Sequence, residues 1–193
     1  MKITVMDDEA RRPARARRQG GVKSGAGVKF QKTITVNRPV AQVYAFWRNF
    51  ENLPRFMEHL ESVDLKNDTI SHWAIKTSEK HVLEWDAQII EDRPNELISW
   101  QSLQGADVDN AGSVWFRPAT GDRGTVVKLA MKYSPPGGKF GAKLARLFGQ
   151  DAVQIIESDL YRLKSLLETG EIPTTEGQPR GNLSKKEKDR AAI

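Results

Sequence analysis

The stretch that decides the fold is NRPVAQVYAFWRNFENLPRFMEHLESVDL, which runs from Asn37 to Leu65. It opens with a helical pattern of about ten residues, for which Asn37 offers a capping oxygen and Pro39 suits the first turn. Pro54 then interrupts the helix. A helix that only covered a sheet could use Leu and Val, so we interpret the segment as a wall or lid over an interior space. The aromatic residues on either side of the break are Tyr44, Phe46, Trp47, Phe50 and Phe56.

Patterns of period two lie on both sides of this stretch. Residues 30–36 alternate apolar and polar side chains, which predicts one strand before the broken helix. Residues 60–133 hold six further alternations separated by short polar links, and such consecutive strands form an antiparallel meander. From Phe140 to Leu167 the apolar residues recur every three or four positions. The predicted fold is α+β: a seven-stranded antiparallel sheet curled around a long C-terminal helix, with two short helices after the first strand.

The composition favours one soluble domain. A chain of 193 residues with 38% hydrophobic content can bury a substantial core. The absence of cysteine excludes disulfides, thiolate metal sites and cysteine nucleophiles. No apolar run approaches the roughly 20 residues that span a bilayer, and the N-terminus lacks a secretory signal. We therefore expect a cytoplasmic protein.

The net charge of +5 belongs to the two ends of the chain. Residues 1–29 hold eight Lys and Arg against three acidic residues, and residues 173–193 hold five against three, which leaves 17 against 19 in between. Both ends are poor in large apolar side chains, which is typical of disorder. The prediction is a disordered basic arm over 1–28, a domain over 29–172 and a disordered tail over 173–193. Because the domain itself is mildly acidic, we do not expect it to bind nucleic acid.

The predicted layers leave a space inside the molecule. One long helix must cover the apolar face of seven strands, and a twisted sheet around a single helix encloses volume. By strand parity, three tryptophans point into that volume, and each offers a large apolar surface with one N–H donor. These residues are Trp73, Trp85 and Trp100.

The chain resembles a known family in this arrangement. Residues 36–63 (VNRPVAQVYAFWRNFENLPRFMEHLESV), residues 83–102 (LEWDAQIIEDRPNELISWQS) and the terminal amphipathic helix are similar to the SRPBCC or START-like superfamily with the helix-grip fold. Within it they resemble the polyketide cyclase/dehydrase and coenzyme Q-binding branch. The resemblance spans roughly residues 30–170. It implies a deep apolar cavity between sheet and helix, since members bind lipids, isoprenoid quinones, hormones or polyketides, and some catalyse cyclisation or hydrolysis.

The resemblance also implies an entrance and a set of ligand-binding side chains. Residues 50–56 (FENLPRF) would form the entrance, and residues 134–149 (SPPGGKFGAKLARLFG) the facing lip. With Lys139, Lys143 and Arg146, this lip would rest on an anionic membrane surface, or it is simply a solvated helix face. The predicted ligand-binding residues are Trp47, Phe50, Phe56, Met57, Trp73, Trp85, Trp100, Phe116, Met131, Tyr133, Phe140, Leu144 and Phe148.

Catalytic and metal-binding patterns are weak. Glu84 and Asp86 share a strand face opposite the inward residues, so we expect them to be solvated rather than an acid and base pair. The three histidines show no metal-ligand spacing, and only His59, after the lid, is a candidate proton carrier. The alternation in residues 105–112 (GADVDNAG) would suit a divalent cation, but Asx turns explain it more simply. We expect no catalytic residue, metal or cofactor.

Three functions remain open at this point. The leading hypothesis is a non-catalytic carrier or sensor of a hydrophobic small molecule, such as a quinone or another isoprenoid lipid, because the inward residues are almost wholly apolar. The second is a cyclase/dehydrase-type enzyme, which would need polar groups converging in the cavity. The third is an interaction module whose basic arms bind an acidic partner such as nucleic acid or an anionic membrane.

Overall fold

The computed structural model describes residues 28–78, 81–134 and 152–173. It contains seven strands: β1 (Val28–Val36), β2 (Leu60–Leu65), β3 (Ile70–Ser78), β4 (His81–Arg93), β5 (Leu97–Ser102), β6 (Asn110–Pro118) and β7 (Thr125–Tyr133). It also contains two α-helices and two short 3-10 helices: α1 (Val40–Arg48), α2 (Ala152–Thr169), Phe50–Arg55 and Thr120–Asp122.

All seven strands form one antiparallel sheet in the order β1-β7-β6-β5-β4-β3-β2. Strands β2 to β7 follow one another as a meander, whereas β1 pairs with the last strand, with Val28 opposite Tyr133 and Val36 opposite Thr125. The sheet therefore has β1 and β2 at its edges, and the chain between those two strands forms α1 and the Phe50–Arg55 3-10 helix. The predicted curled sheet with a C-terminal helix and two early helices is confirmed.

The break in the first helix differs in detail from the prediction. Helix α1 ends at Arg48, and Asn49 has an extended backbone, so the break precedes Pro54, which lies inside the following 3-10 helix. Asn37 does not cap α1 as predicted, because Pro39 takes the capping position without a side-chain hydrogen bond. The backbone N–H of Asn37 instead donates to the Glu168 carboxylate at 2.6 Å. Asn37 therefore serves the docking of α2.

The C-terminal end of α2 is held against the corner between β1 and α1. The Arg38 guanidinium donates to the backbone oxygens of Leu167 and Glu168 at 2.6 and 2.7 Å. The last carbonyl groups of a helix have no partner within it, so Arg38 satisfies groups that burial would otherwise penalise. Lys164 donates to the Thr35 backbone oxygen at 2.8 Å. This end of α2 is thus fixed to the edge of the sheet by hydrogen bonds.

The interior beneath α1 is filled by aromatic rings. The centroid of the Trp47 ring system lies 5.7 Å from that of Phe56 and 6.3 Å from that of Phe116. Tyr44 meets Phe116 edge to face at 5.6 Å. Trp47, Phe56 and Phe116 are at most 2% exposed. We call these four residues, Tyr44, Trp47, Phe56 and Phe116, the packed end of the interior.

The predicted arm and tail lie outside the described residues, apart from Val28 and Pro173. Strand β1 begins at Val28, one residue before the predicted start of the domain. The domain boundaries at 29 and 172 stay a prediction.

Candidate functional site

A cavity of about 120 Å³ lies between the sheet and the N-terminal half of α2. Every strand contributes to its wall, together with α1, the first 3-10 helix and α2. Its described lining residues are Phe30, Trp47, Phe50, Leu53, Met57, His59, Leu60, Trp73, Ile75, Trp85, Trp100, Val108, Asn110, Leu129, Met131, Tyr133, Ala152, Ile155, Ile156 and Asp159.

One side of the cavity is an aromatic wall built by strand pairing. Trp73 on β3 and Trp85 on β4 are register partners, and their indoles stack with centroids 6.0 Å apart and planes 16° apart. Phe50 packs against Trp73 at 5.5 Å and against Trp100 at 6.3 Å. Directly opposed residues on one face of an antiparallel pair come close enough for such ring contacts. The sheet therefore sets the positions of the rings.

Trp100 needs a glycine on the neighbouring strand. Its register partner on β6 is Gly112, and a β-carbon at Gly112 would lie 2.3 Å from the Trp100 ring. That distance is far below van der Waals contact, so a side chain at Gly112 would force the indole to move. Gly112 thus allows the Trp100 ring to lie against the backbone of β6.

The structure brings together most of the predicted ligand-binding residues. Eight of them line the cavity: Trp47, Phe50, Met57, Trp73, Trp85, Trp100, Met131 and Tyr133. Phe56 and Phe116 belong to the packed end and are not among the lining residues. Phe140, Leu144 and Phe148 fall in residues 135–151, outside the described part, as does nearly all of the predicted lip. Ligand binding by these residues stays a prediction.

Sequence reasoning missed the polar residues of the wall, above all Asp159. Asp159 on α2 is only 4% exposed and lines the cavity with Ile156. The signal was present in the sequence, because Ala152, Ile156, Asp159 and Leu163 follow the spacing of the apolar stripe of α2. A carboxyl group on an otherwise apolar stripe is a candidate for a functional position. His59 and Asn110 are the other polar residues missed as cavity-lining residues.

Burial controls the chemistry of Asp159. One of its carboxylate oxygens accepts a hydrogen bond from the Glu58 backbone N–H at 3.2 Å. Burial raises the pKa of Asp159 to about 6, and the Glu58 N–H and the nearby Arg162 only partly oppose that rise. Arg162 itself pairs with the Glu58 carboxylate at 2.7 Å. Asp159 therefore changes its protonation state just below neutral pH.

Some of the other polar atoms of the wall have hydrogen-bond partners, and others have none among the described residues. The Trp73 indole N–H donates to the Ser71 hydroxyl at 2.8 Å. The indole N–H groups of Trp47 and Trp85 are buried without a hydrogen-bond partner among the described residues. Asn110 donates its side-chain N–H to the Val108 backbone oxygen at 3.1 Å. Burial raises the pKa of the Tyr133 phenol.

The carboxylates weighed as an acid and base pair lie on the outer face of the sheet. Asp86 accepts a hydrogen bond from Lys66 at 2.8 Å and contacts the His72 ring at 2.9 Å. The Lys66 hydrogen bond, followed by the His72 contact, lowers the pKa of Asp86. Glu84 beside it is exposed. Neither residue lines the cavity, in line with the expectation that they are solvated.

The described part of the chain contains neither a metal-binding cluster nor a membrane-spanning helix. No group of three or more His, Cys, Asp or Glu residues there could hold a metal ion. The Asp107 carboxylate, weighed as a cation ligand, accepts from the Glu84 backbone N–H at 3.0 Å. No described helix is long and apolar enough to cross a membrane.

Comparison with known proteins agrees with this architecture. The family described as polyketide cyclase/dehydrase and lipid transport matches residues 36–159. An uncharacterized 17.2 kDa protein from the melC2-rnhH intergenic region of Streptomyces lincolnensis is 33% identical over 142 residues, which cover 72% of this chain and 89% of that protein. The crystal structure of DR_A0006 from Deinococcus radiodurans has a TM-score of 0.60 at 33% identity and covers 75% of this chain and 100% of its own.

A more distant structural neighbour is the Zhui aromatase/cyclase from a Streptomyces species. It has a TM-score of 0.57 at 12% identity and covers 76% of this chain and 99% of its own. At that identity the likeness shows the fold alone. The coenzyme Q-binding branch stays a prediction. Because the family match spans well over half of the chain, the protein belongs to the polyketide cyclase/dehydrase and lipid transport family of the SRPBCC-like superfamily.

Proposed function

We propose that this chain binds a hydrophobic small molecule in the cavity as a carrier or sensor. The observation that carries the proposal is the cavity itself, whose described wall consists mainly of aromatic and aliphatic side chains. Burying an apolar ligand there would contribute about 25 cal/mol per Å² of apolar surface, before the costs of ordering are subtracted. A largely apolar wall with a few polar groups is the usual form of a small-molecule site.

The size of the cavity limits what fits without rearrangement. A volume of about 120 Å³ is below the roughly 300–1,000 Å³ of common ligand pockets and close to the roughly 150 Å³ cavity that accepts benzene. A single ring, or one segment of a longer lipid, quinone or polyketide, would occupy this space. A larger group would require side chains to move, and the flexible thioethers of Met57 and Met131 are suited to this.

Native mass spectrometry of gently purified protein tests the proposal. We expect a population with added mass that organic extraction removes and identifies as a hydrophobic molecule. A protein that shows only its own mass, and that takes up no single-ring hydrocarbon when titrated, would contradict the proposal.

A cavity-filling substitution supplies the matched variant. Ile156 lies on α2 in the cavity wall, and Ile156→Phe adds volume there. We expect this variant to lose both the added mass and the uptake of hydrocarbon. The control is Ile90→Phe, the same substitution at a position that is 53% exposed and outside the cavity wall, which should keep both.

A cyclase/dehydrase-type enzyme is the second candidate, and Asp159 is the observation that favours it. Acid and base catalysis works best when the pKa of the group lies near the working pH, and the pKa of Asp159 is about 6. His59, Asn110 and Tyr133 lie on the same wall. The enzyme requires at least two of these groups to meet one ligand atom within about 3 Å.

Incubation with a synthetic poly-β-ketone chain separates the two candidates. An enzyme should form an aromatic product at a rate that Asp159→Asn lowers by roughly 10² to 10⁴. A carrier should bind the chain and return it unchanged.

The predicted membrane contact of the lip and the predicted role of the basic arm concern residues outside the described part. Deletion of residues 1–27 is expected to leave ligand binding in the cavity unchanged.

A further inference from the structure

The described part of the cavity wall contains a carboxylate but no Lys or Arg side chain. Among its described lining residues there is no Lys or Arg, and Asp159 is the one carboxylate. His59 is another polar side chain of the described wall. A ligand carboxylate would therefore find no described Lys or Arg in the wall, and burying an unpaired charge is costly. The described part of the wall thus offers an anionic ligand no Lys or Arg with which to pair.

The described residues donate one hydrogen bond to the Asp159 carboxylate. One oxygen accepts from the Glu58 backbone N–H, and the other has no hydrogen-bond partner among the described residues. The side chain is nevertheless 96% buried, as its 4% exposure shows, in the wall of a cavity. A carboxylate oxygen in a cavity wall can accept a hydrogen bond from a ligand, and a bond to a charged group is stronger than one between neutral groups.

The faces of the aromatic rings in the wall suit a positive charge. Seven described aromatic residues line the same space: Phe30, Trp47, Phe50, Trp73, Trp85, Trp100 and Tyr133. The faces of such rings carry partial negative charge, and they attract cations that lie within about 6 Å. An ammonium group is stabilised by such rings and by a carboxylate together.

We propose that the ligand of this cavity is an apolar amine, held as its ammonium ion by Asp159 and the aromatic wall. This proposal rests on the proposed binding function and names the chemical class of its ligand. The volume of the cavity fits an amine carried on a single ring, or the ring-bearing end of a larger amine.

The proposal predicts how binding changes with pH. Asp159 is an anion above pH 6 and becomes neutral below it, because its pKa is about 6. A primary amine stays protonated throughout this range, so its affinity should fall as the pH decreases from 7.5 to 5. The other groups near Asp159 that carry or can gain charge are Glu58, His59 and Arg162. If Asp159→Asn removes the pH dependence of the affinity, that dependence arises from Asp159.

Four matched probes test the proposal: benzylamine, benzyl alcohol, toluene and benzoate. Each is titrated into ¹⁵N-labelled protein at pH 7.5 while the tryptophan indole N–H signals are followed. Trp115 is an internal control, because it lies on the outer face of the sheet with Lys128 5.2 Å from its ring centroid. We expect the signals of the cavity tryptophans to shift and that of Trp115 to stay in place.

The expected order of affinity is benzylamine, benzyl alcohol, toluene and then benzoate. Benzylamine should bind about tenfold more tightly than benzyl alcohol, which is the usual advantage of a charged hydrogen bond. Asp159→Asn should remove that advantage. Glu157→Gln, the matched change of a carboxylate to an amide on the same helix but outside the cavity wall, should retain it.

The outcomes separate this proposal from the proposed function. If toluene and benzyl alcohol bind as tightly as benzylamine, the cavity binds apolar molecules and the amine proposal is wrong. If benzoate binds best, the charge argument is wrong. If no probe shifts a cavity tryptophan, the proposed function fails as well. The pH dependence in the unmodified protein provides a test that needs no variant: an affinity for benzylamine that is constant from pH 5 to 7.5 overturns the amine proposal.

Discussion

The packed end of the interior and the cavity lie under the same sheet, yet one is filled and the other is hollow. At the packed end, Trp47 meets Phe56 and Phe116, and all three are at most 2% exposed. Around the cavity, aromatic rings line one side while Ala152, Ile156 and Asp159 of α2 lie on the other. The difference comes from what covers the sheet. Helix α1 and Phe56 supply large rings at the packed end, whereas the N-terminal half of α2 supplies shorter side chains over the cavity.

The difference between the two regions raises the question of why the cavity does not close. Protein interiors are close-packed, so a cavity persists only where the rigid elements around it cannot approach one another. Arg38 and Lys164 hold the C-terminal end of α2 against the edge of the sheet. In the half of α2 that lines the cavity, Glu157 pairs with Lys32 of β1, and Asp159 accepts a hydrogen bond from the Glu58 backbone N–H. The stacked tryptophans hold the opposite wall. The fold therefore keeps the hollow open between two fixed surfaces.

Truncation of a large side chain in each region should give the largest effect. Phe116→Ala at the packed end should lower the free energy of unfolding by about 3–5 kcal/mol, because it opens a new cavity among rings that are in contact. Met131→Ala in the cavity wall should cost about 2 kcal/mol, since one side of that residue already lacks contacts. Urea unfolding measures both. Equal losses at the two positions would contradict the distinction between a filled and a hollow region.

The pH dependence of stability tests the burial of Asp159. The folded-state pKa of about 6 exceeds the ordinary value of 3.8, so the native state binds the Asp159 proton more tightly than the unfolded chain does. The contribution of Asp159 to stability therefore falls as the pH rises from about 4 to 6, by about 3 kcal/mol at about 1.4 kcal/mol per pKa unit.

Asp159→Asn should remove this loss. Relative to the unmodified protein, the variant should gain stability as the pH rises from 4 to 7 and then level off. Urea unfolding at several pH values gives the difference. Glu157→Gln, on the outer side of α2 and paired with Lys32, is the control that should show no such gain. A flat difference for Asp159→Asn would mean that the carboxyl group is solvated.

A smaller effect is expected from Gly112→Ala. The new β-carbon would collide with the Trp100 ring, so the indole should move toward the cavity at a cost of about 1–3 kcal/mol. Thermal unfolding and the emission of Trp100 follow the change. In the double variant Gly112→Ala with Trp100→Leu, the collision is absent, and the cost of the alanine should largely disappear. If the double variant shows the full cost, the contact between Gly112 and Trp100 does not limit packing.

The sequence predicted the fold because the fold depends on local periods. Each strand alternates with period two, and α2 repeats its apolar residues every three or four positions, so the order of elements can be determined from the printed chain. The inward direction of Trp73, Trp85 and Trp100 followed from parity and is seen in the structure. Such patterns specify the face on which a residue lies.

Patterns do not specify the depth at which a residue meets its neighbours. Phe116 and Met131 both point inward, but only the position of α1 places Phe116 in the packed end. The sequence pattern predicts the buried face of α2 from its hydrophobic residues alone, so it does not identify Asp159 as a buried residue. The sequence shows that Asp159 lies on the same face of α2 as Ile156. The burial of Asp159, however, depends on the contact of α2 with the segment around Glu58.

The central claim is that a hollow persists between the sheet and α2. Crystals pressurised with xenon test it most directly, because xenon enters apolar cavities that are large enough to hold it. We expect xenon density between Trp100, Met131 and Ile156 in the unmodified protein, and its loss in Ile156→Phe. An interior without xenon, in which the side chains of α2 touch the stacked indoles, would contradict the account.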